Sequence, residues 1–284
     1  MPFAFAGRPV ARIGYGAMQL SRLRDDRAAG IALLRRAVEL GVNHVDTAQF
    51  YGFGLVNELL REALRPEDGV LIVSKVGAAP NPGGQFPLRF AQRPEELRAA
   101  VEENLTTLGL EQIPVVNLRR ADSGPVGLQL PDDQVVDADD QLAEMIALRD
   151  EGKIGAIGLS SVSLEVLRRA LPVGIDCVQN AYSLVDRRDE QMLELCLAEN
   201  IAWVPYFPLG SAAPHLPKVT DAPAVIAAAE SSGFTPAQVG LAWLLHRAPN
   251  VLLIPGTATL AHLEANMAAG DVPADVMDAL SAMI

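Results

Sequence analysis

The feature that most constrains the fold of this chain is a regular alternation of short apolar segments with segments of helical periodicity. Eight apolar or β-branched segments occur, each followed by a helical pattern, and they are too apolar to face water on either side. Parallel strands that are covered on both faces have this composition. The sequence therefore predicts an α/β protein built as a (β/α)8 TIM barrel. The predicted strands are 12–16, 42–46, 71–75, 115–118, 156–160, 177–180, 203–207 and 251–254.

Helical periodicity and breaker residues complete the predicted architecture. Pro94 and the Thr235-Pro236 pair each mark a helix start, and Gly109 marks a helix end. We also expect a short N-terminal β-hairpin and an extra helix at the C-terminus. The predicted helices are 26–40, 57–64, 94–108, 139–150, 164–171, 189–200, 235–247, one that starts at 259, and 274–284. Longer loops are expected at 79–87, 121–138 and 211–223.

The chain shows no sign of division into parts. No internal repeat and no linker-like composition interrupts it, so residues 1–284 are predicted to form a single domain. A doubly wound open sheet is the alternative architecture. It is disfavoured because no GxGxxG motif follows any predicted strand.

Charge and composition exclude several classes of function. The formal net charge of -12 argues against binding to nucleic acid or to anionic membrane surfaces, both of which require clustered Lys and Arg. No apolar run approaches the ~18 residues of a membrane span. Arg8 and Arg12 interrupt the apolar N-terminus, so no signal peptide is expected. Cys177 and Cys196 lack metal-binding spacing and are expected to be reduced thiols of a cytoplasmic protein without a metal site.

Side chains with acid–base chemistry stand at the ends of the predicted strands. Asp46 ends the second strand, Tyr51 follows five residues later, and Lys75 ends the third strand. Because the carboxyl ends of barrel strands meet on one face, we expect these three side chains to lie together. A cation and an acid beside a phenol can make the phenol a proton donor near neutral pH. Arg119, at the end of the fourth strand, is expected on the same face.

Each of these residues also has a structural interpretation, which the sequence leaves open. Asp46 is of a type that caps turns, and Lys75 could be an exposed strand end. Arg119 could pair with an acid such as Asp122. His44, inside the second strand, is interpreted as a core histidine. The substrate pocket is expected to be partly aromatic, with contributions from Tyr15, Phe50, Tyr51 and Phe53.

Several motifs follow one another along nearly the whole chain. They are GYGAM (14–18), GVNHVDTAQFYG (41–52), NELLREAL (57–64), IVSKVG (72–77), GKIGAIGLSS (152–161), VQNAYS (178–183), PYFPLGS (205–211) and IPGTATLAHLEANM (254–267). With these motifs the chain resembles the aldo-keto reductase superfamily. Within that superfamily, VVNLR (115–119) together with the last two motifs is most similar to the bacterial pyridoxal reductase branch.

The resemblance implies an acid–base mechanism. Tyr51 would be the general acid that gives a proton to the substrate carbonyl oxygen, and Lys75, paired with Asp46, would lower the pKa of Tyr51. The superfamily usually has a histidine at the end of the fourth strand, where this chain has Arg119. A guanidinium stays charged and only donates hydrogen bonds. Arg119 would therefore polarise the carbonyl or anchor an anionic oxygen rather than relay a proton.

The resemblance also implies a nicotinamide cofactor. NADPH is expected by similarity to the branch, and NADH remains open. The residues expected to bind the cofactor are Ser160, Ser161 and Gln179 at the carboxamide, Tyr206 on the nicotinamide ring, Leu209 and Ser211 at the pyrophosphate, Gly256, Thr257, His262 and Asn266 at the adenosine end, and also Gly16, Ala17, Met18 and Phe207.

Together these features predict NADPH-dependent reduction of a small aldehyde, with pyridoxal as the favoured substrate. One alternative is reduction of another aldehyde or ketone, such as a sugar or a reactive metabolite carbonyl. The other alternative is a nicotinamide-binding sensor with negligible turnover. The sensor stays an alternative because Arg119 stands in place of the usual histidine. The intact set of Asp46, Tyr51 and Lys75 argues against it. The expected partner is a small-molecule carbonyl, and the protein is expected to be a monomer or a weak homo-oligomer.

Overall fold

The computed structural model describes residues 3–84, 88–123, 130–210 and 217–282. Its strands are β1 (Phe3–Phe5), β2 (Arg8–Val10), β3 (Tyr15–Gly16), β4 (His44–Asp46), β5 (Leu71–Val76), β6 (Ala78–Pro80), β7 (Leu88–Phe90), β8 (Ile113–Arg119), β9 (Ile154–Ser160), β10 (Ile175–Gln179) and β11 (Ala202–Trp203). Its α-helices are α1 (Arg27–Glu39), α2 (Leu55–Ala63), α3 (Pro94–Leu108), α4 (Ala138–Asp150), α5 (Leu164–Ala170), α6 (Glu190–Ala198), α7 (Pro223–Ser232), α8 (Pro236–Arg247), α9 (Leu260–Met267) and α10 (Ala274–Ala282).

A parallel sheet lies at the centre, with strand order β11-β10-β9-β8-β5-β4-β3. Val251 and Leu253 then form isolated parallel bridges to the two edges of this sheet, with Trp203 and with Ile13. Backbone hydrogen bonds from Leu252 to Trp203 (2.8 Å) and from Gly14 to Leu253 (2.8 Å) support this pairing. The eighth segment thus closes the sheet on itself, and the predicted barrel is confirmed.

Alternating side chains along the strands divide the core into two layers. Those that point outward, such as Val45, Ile72 and Val116, pack against the surrounding helices. Those that point inward, together with Phe5 and Val10 of the N-terminal hairpin, form a separate apolar cluster. This inner cluster contains Leu71, Val73, Val115, Ala156, Cys177, Ala202, Val204 and Leu252. The hairpin was expected, and its role here is to cover the interior of the barrel.

The helix starts at Pro94 and at Thr235-Pro236 are confirmed. The hydroxyl of Thr235 accepts a hydrogen bond from the backbone of Gln238, and Gly109 ends α3 with a φ of 67°. In the described helices no segment is long and apolar enough to cross a membrane.

The prediction of irregular loops was incomplete at two places. Part of the 79–87 loop pairs as β6 with β7, a hairpin whose three-residue strands are too short to show periodicity. Helix α7 begins at Pro223, where a loop was predicted to end and no helix was foreseen. Its signals were present, because a proline stands at its first position and Gly233 caps its end with a φ of 76°.

A few polar side chains lie inside the barrel in contact with the apolar cluster. The thiol of Cys177 donates to Asn117 Oδ1 (3.0 Å), and a side chain at Gly158 would collide with both. His44 is fully buried, and a side chain at Gly14 would collide with its ring. Burial lowers the pKa of His44 from 6.5 to about 4. His44 is therefore a neutral core residue at physiological pH, in agreement with its interpretation from the sequence.

The buried imidazole predicts an acid-sensitive contribution to stability. Unfolded chains take up a proton at His44 near pH 6.5, whereas the folded protein does so only near pH 4. The free energy of unfolding should therefore fall as the pH drops through this window, by up to about 3 kcal/mol from this residue. His44→Gln should lose this part of the pH dependence in urea denaturation at pH 7 and pH 5. His246→Gln, which removes an exposed histidine, is the matched control, and identical pH slopes for wild type and His44→Gln would contradict the prediction.

Candidate active site

A buried ion pair lies at the carboxyl ends of β4 and β5. Lys75 Nζ donates to Asp46 Oδ1 (2.5 Å) and to the backbone oxygen of Thr47 (3.0 Å). Lys75 is 6% exposed and Asp46 is 4% exposed, so neither is a solvent-facing strand end. Burial alone would lower the pKa of Lys75, but Asp46 and Tyr51 outweigh it and the pKa lies above its usual value. Lys75 is therefore charged at neutral pH.

Tyr51 lies over this ion pair at the start of a short 3-10 helix, Tyr51–Gly54. Lys75 Nζ is 5.0 Å from the centroid of its ring. Burial raises the pKa of Tyr51, while the charge of Lys75 acts to lower it. The charge of Lys75 thus changes the pKa of Tyr51 in the direction expected from the sequence. The effect of burial is larger, so the net shift of this pKa is upward. Tyr51 is protonated at neutral pH, as a proton donor must be.

A buried polar network outside the barrel holds the segment that carries Tyr51. The hydroxyl of Thr47 donates to Asn57 Oδ1 (2.8 Å), and Asn57 Nδ2 donates to Gln49 Oε1 (2.8 Å) and Asn104 Oδ1 (3.1 Å). Ser74, next to Lys75, donates to the same Asn104 oxygen (2.6 Å). Our sequence interpretation missed this network. Its signal was a polar Asn57 within the otherwise apolar face of α2.

Gln179, at the end of β10, connects the ion pair to a group of polar residues. Gln179 Nε2 donates to the second oxygen of Asp46 (2.6 Å). Its own Oε1 is buried and has no hydrogen-bond partner among the described residues. Ser160 is its register neighbour on β9, and Ser161 lies 3.1 Å from the hydroxyl of Tyr206. The structure therefore brings together the four residues predicted at the nicotinamide end.

Arg119 is at the end of β8, in register with Ser160. It is half-buried, and its guanidinium makes no hydrogen bond or ion pair with any residue of the described ranges. Burial raises the pKa of Tyr51 and of Tyr206, and the charge of Arg119 acts in the opposite direction on both. Its predicted alternative, a pair with Asp122, is wrong because Asp122 pairs with Arg120 (2.8 Å).

Four further residues that the sequence predicts as cofactor-binding lie where β3 approaches the eighth segment. A side chain at Gly16 would collide with the oxygen of Ile254, and one at Gly256 would lie 2.7 Å from the oxygen of Gly16. Ala17 is buried beside them, and Thr257 is buried too. Both glycines are thus required by the approach of β3 to the eighth segment.

The remaining predicted cofactor residues are more exposed. Met18 is 46% exposed and Phe207 is 37% exposed, with the Phe207 ring packed edge-on to Tyr206 at 5.1 Å. His262 and Asn266 lie one turn apart on α9, where His262 is exposed and Asn266 is half-buried. Leu209 is half-buried. Ser211 lies outside the described residues.

The predicted aromatic pocket is only partly right. Phe50 packs edge-on against Tyr51 with ring centroids 5.1 Å apart, and Phe53 is 55% exposed beside Arg24. Tyr15, however, points outward from the barrel into the core, and its hydroxyl donates to the backbone oxygen of Thr257 (2.5 Å). In the described ranges no cluster of three metal-ligating side chains occurs, and the two cysteines are buried and free.

Comparison with known proteins shows related sequences and related folds. The sequence model of the aldo/keto reductase family matches residues 12–283. The chain is 40% identical over 274 residues to pyridoxine 4-dehydrogenase of Escherichia coli, which covers 94% of this chain and 92% of that protein. Among solved structures, an aldo/keto reductase from Klebsiella pneumoniae in complex with NADP and acetate superposes with a TM-score of 0.78 at 26% identity, covering 99% of this chain and 94% of the other.

The same comparison of structures returns an aldo-keto reductase from Klebsiella pneumoniae in complex with NADPH. Its TM-score is 0.80 at 24% identity, with coverage of 99% of this chain and 94% of the other. This likeness supports the barrel fold.

The buried ion pair predicts a large loss of stability when one partner is neutralised. Asp46→Asn leaves the charge of Lys75 buried without its counter-ion, which should lower the free energy of unfolding by about 3–5 kcal/mol. Urea denaturation at pH 7 measures this change. Asp137→Asn is the matched control, since Asp137 forms an exposed ion pair with Arg169 (2.8 Å) and should change stability little. Similar losses in both variants would argue against a special role for the buried pair.

Proposed function

The chain belongs to the aldo/keto reductase family, and we propose that it is an NADPH-dependent reductase of small aldehydes, with pyridoxal as the favoured substrate. The observation that carries this proposal is the charged, buried Lys75–Asp46 pair beneath the protonated Tyr51. The 40% identity with pyridoxine 4-dehydrogenase over 94% of the chain supports the choice of pyridoxal.

Each residue of the site has its own role in proton transfer. The substrate carbonyl oxygen accepts a hydrogen bond from the Tyr51 hydroxyl, which gives up its proton as the carbonyl becomes an alcohol. Lys75 stabilises the tyrosinate that remains, and Asp46 keeps Lys75 charged. NADPH, when bound, supplies the hydride that reaches the carbonyl carbon. The product gains this hydride and the tyrosine proton, and Tyr51 regains a proton from solvent.

The described residues fit a nicotinamide at this place. The unpartnered oxygen of Gln179 is an acceptor for a carboxamide N–H, and the hydroxyls of Ser160 and Ser161 are donors for its oxygen. Tyr206, held by its contact with Ser161, offers a ring face for stacking. We propose that these four residues hold and orient the ring, and that residues of α9 and the Gly256 segment hold the adenosine end.

We also propose a cellular location and a cofactor preference. The two buried, free thiols fit a reducing compartment, and we propose the cytoplasm. Preference for NADPH over NADH is proposed from the solved relatives in complex with NADPH and NADP.

The first test is the steady-state rate of NADPH oxidation with pyridoxal, with NADH in parallel. Saturable turnover with NADPH supports the proposal. Tight NADPH binding without turnover on pyridoxal or on a panel of other carbonyls would contradict it and favour a sensor.

A substitution of the proposed proton donor should separate chemistry from binding. Tyr51→Phe keeps the ring but removes the hydroxyl, so kcat should fall by about 10²–10⁴-fold while NADPH affinity stays nearly unchanged. Stopped-flow turnover and NADPH fluorescence titration measure the two quantities. Tyr182→Phe removes the hydroxyl of a buried tyrosine that donates to Glu190 (2.5 Å), and it should keep wild-type kcat. Wild-type turnover by Tyr51→Phe would show that another group donates the proton.

A further inference from the structure

Arg119 and its neighbour Arg120 differ in the contacts that their side chains make within the protein. Arg120 pairs with Asp122 (2.8 Å) and donates to Val136 (3.2 Å) and Gln141. Arg119 makes no such contact with any residue in the described part of the chain. A half-buried guanidinium remains charged and has five N–H donors to satisfy.

The acidic side chains around the site are already engaged. Asp46 accepts from Lys75 (2.5 Å) and from Gln179 (2.6 Å). Asp189, which acts on Tyr206 together with Arg119, accepts from Asn180 (2.8 Å). Asp122 is held by Arg120. The described residues therefore leave the charge of Arg119 without an acidic partner of its own.

The backbone of Arg119 is fixed even though its side chain is not. Gln92 Nε2 donates to the Arg119 oxygen (2.9 Å) and to the Gly77 oxygen (2.5 Å), which joins the ends of β8 and β5. Gly77 has a φ of 101°, and a side chain there would collide with the Arg119 oxygen. The backbone that carries the Arg119 side chain is therefore held in place by hydrogen bonds. The guanidinium lies at the same end of the barrel as Tyr51.

The location of Arg119 restricts where its ligand can lie. Tyr51 binds the carbonyl oxygen in the proposed reaction. Arg119 ends β8 in register with Ser160, at the same end of the barrel, and its charge acts on both Tyr51 and Tyr206. A group that Arg119 holds therefore lies on the part of the substrate near the carbonyl. A planar guanidinium binds an oxyanion with a charge-assisted hydrogen bond.

We infer that Arg119 selects aldehydes that carry an anionic oxygen on the carbon adjacent to the one bearing the carbonyl group. This inference rests on the proposed reductase function and deepens it by naming the substrate class. Pyridoxal belongs to this class, because its phenolic oxygen neighbours the aldehyde and is acidified by the ring nitrogen. Arg119 acts as a specificity-determining residue, and Tyr51 remains the proton donor.

Two aldehydes that differ by one hydroxyl test the inference. They are 3-hydroxypyridine-4-carbaldehyde and pyridine-4-carbaldehyde, assayed with NADPH at a pH where the hydroxyl is ionised. Wild type should favour the hydroxyaldehyde in kcat/KM. Arg119→Leu should lower kcat/KM for the hydroxyaldehyde on the order of 10- to 100-fold more than for the other, as expected for loss of a charge-assisted hydrogen bond. Arg119→Lys, which keeps the charge, should restore part of the preference.

Controls separate the possible results. Arg8→Leu removes an exposed arginine of the N-terminal hairpin and should keep both rates and the preference. Equal losses for the two aldehydes in Arg119→Leu would overturn the inference, since Arg119 would then act on the carbonyl itself. Equal kcat/KM values for the two aldehydes in the wild-type protein would overturn it as well. That result does not depend on whether a variant folds.

Failure of the proposed function gives a different result. If the wild-type protein binds NADPH but reduces neither of the two test aldehydes and does not reduce pyridoxal, both the proposed function and the inference fail. If wild type reduces both aldehydes with equal kcat/KM, the reductase function stands and only the substrate class is wrong. Lowering the pH below the pKa of the substrate hydroxyl should remove the preference of wild type, and a preference that survives would overturn the role of the anion.

Discussion

The site depends on one buried ion pair. A lysine in the interior of a barrel stays charged only if an anion compensates for its lost hydration, and Asp46 provides that anion at 2.5 Å. The two oxygens of Asp46 are shared between Lys75 and Gln179, and Lys75 also reaches the backbone of Thr47. Each neighbour of this pair is therefore fixed in position by it. Tyr51 lies 5.0 Å from Lys75 Nζ, measured to the ring centroid, so the pair places a positive charge beside its ring.

Polar networks on both sides of the barrel wall keep this arrangement in register. Inside, the thiol of Cys177 donates to Asn117 Oδ1 below the ion pair. Outside, Asn57 and Asn104 tie the segment after β4 to β5 and α3. Buried polar groups of this kind are costly when left unpaired, so their pairing strongly favours one geometry. The segment that carries Tyr51 is thus held by specific hydrogen bonds as well as by apolar packing.

Much of this could be predicted from the sequence, because the signals are local. Apolar strand segments, the proline and glycine at the ends of α3, and chemically active residues at strand ends are all visible in short windows. Strand length was less predictable, since β11 is only Ala202–Trp203 and the eighth segment pairs through isolated bridges. Pairing depends on the geometry of the neighbours rather than on composition.

Side-chain partners were hardest to foresee. Tyr15 could face the pocket or the outer core, and only the register of β3 sends it outward to Thr257. Asp122 could pair with either of two adjacent arginines. Because side chains alternate along β8, Arg119 points into the barrel, and Asp122 pairs with Arg120 instead. Burial likewise reversed the net pKa shift expected for Tyr51. These outcomes require three-dimensional positions.

The closure of the barrel joins the beginning of the chain to its end. Besides the bridge from Ile13 to Leu253, the side chain of Arg12 donates to Ala248 (2.6 Å) and Val251 (3.1 Å), across more than 230 residues of sequence. Contacts over such separations carry a high cost in chain entropy before they form. During synthesis on the ribosome, the first strand must therefore wait with one edge unpaired until the last strand has emerged. A nascent chain of this protein carries Asp46 and Lys75 on β4 and β5 long before the eighth segment that encloses them has been translated.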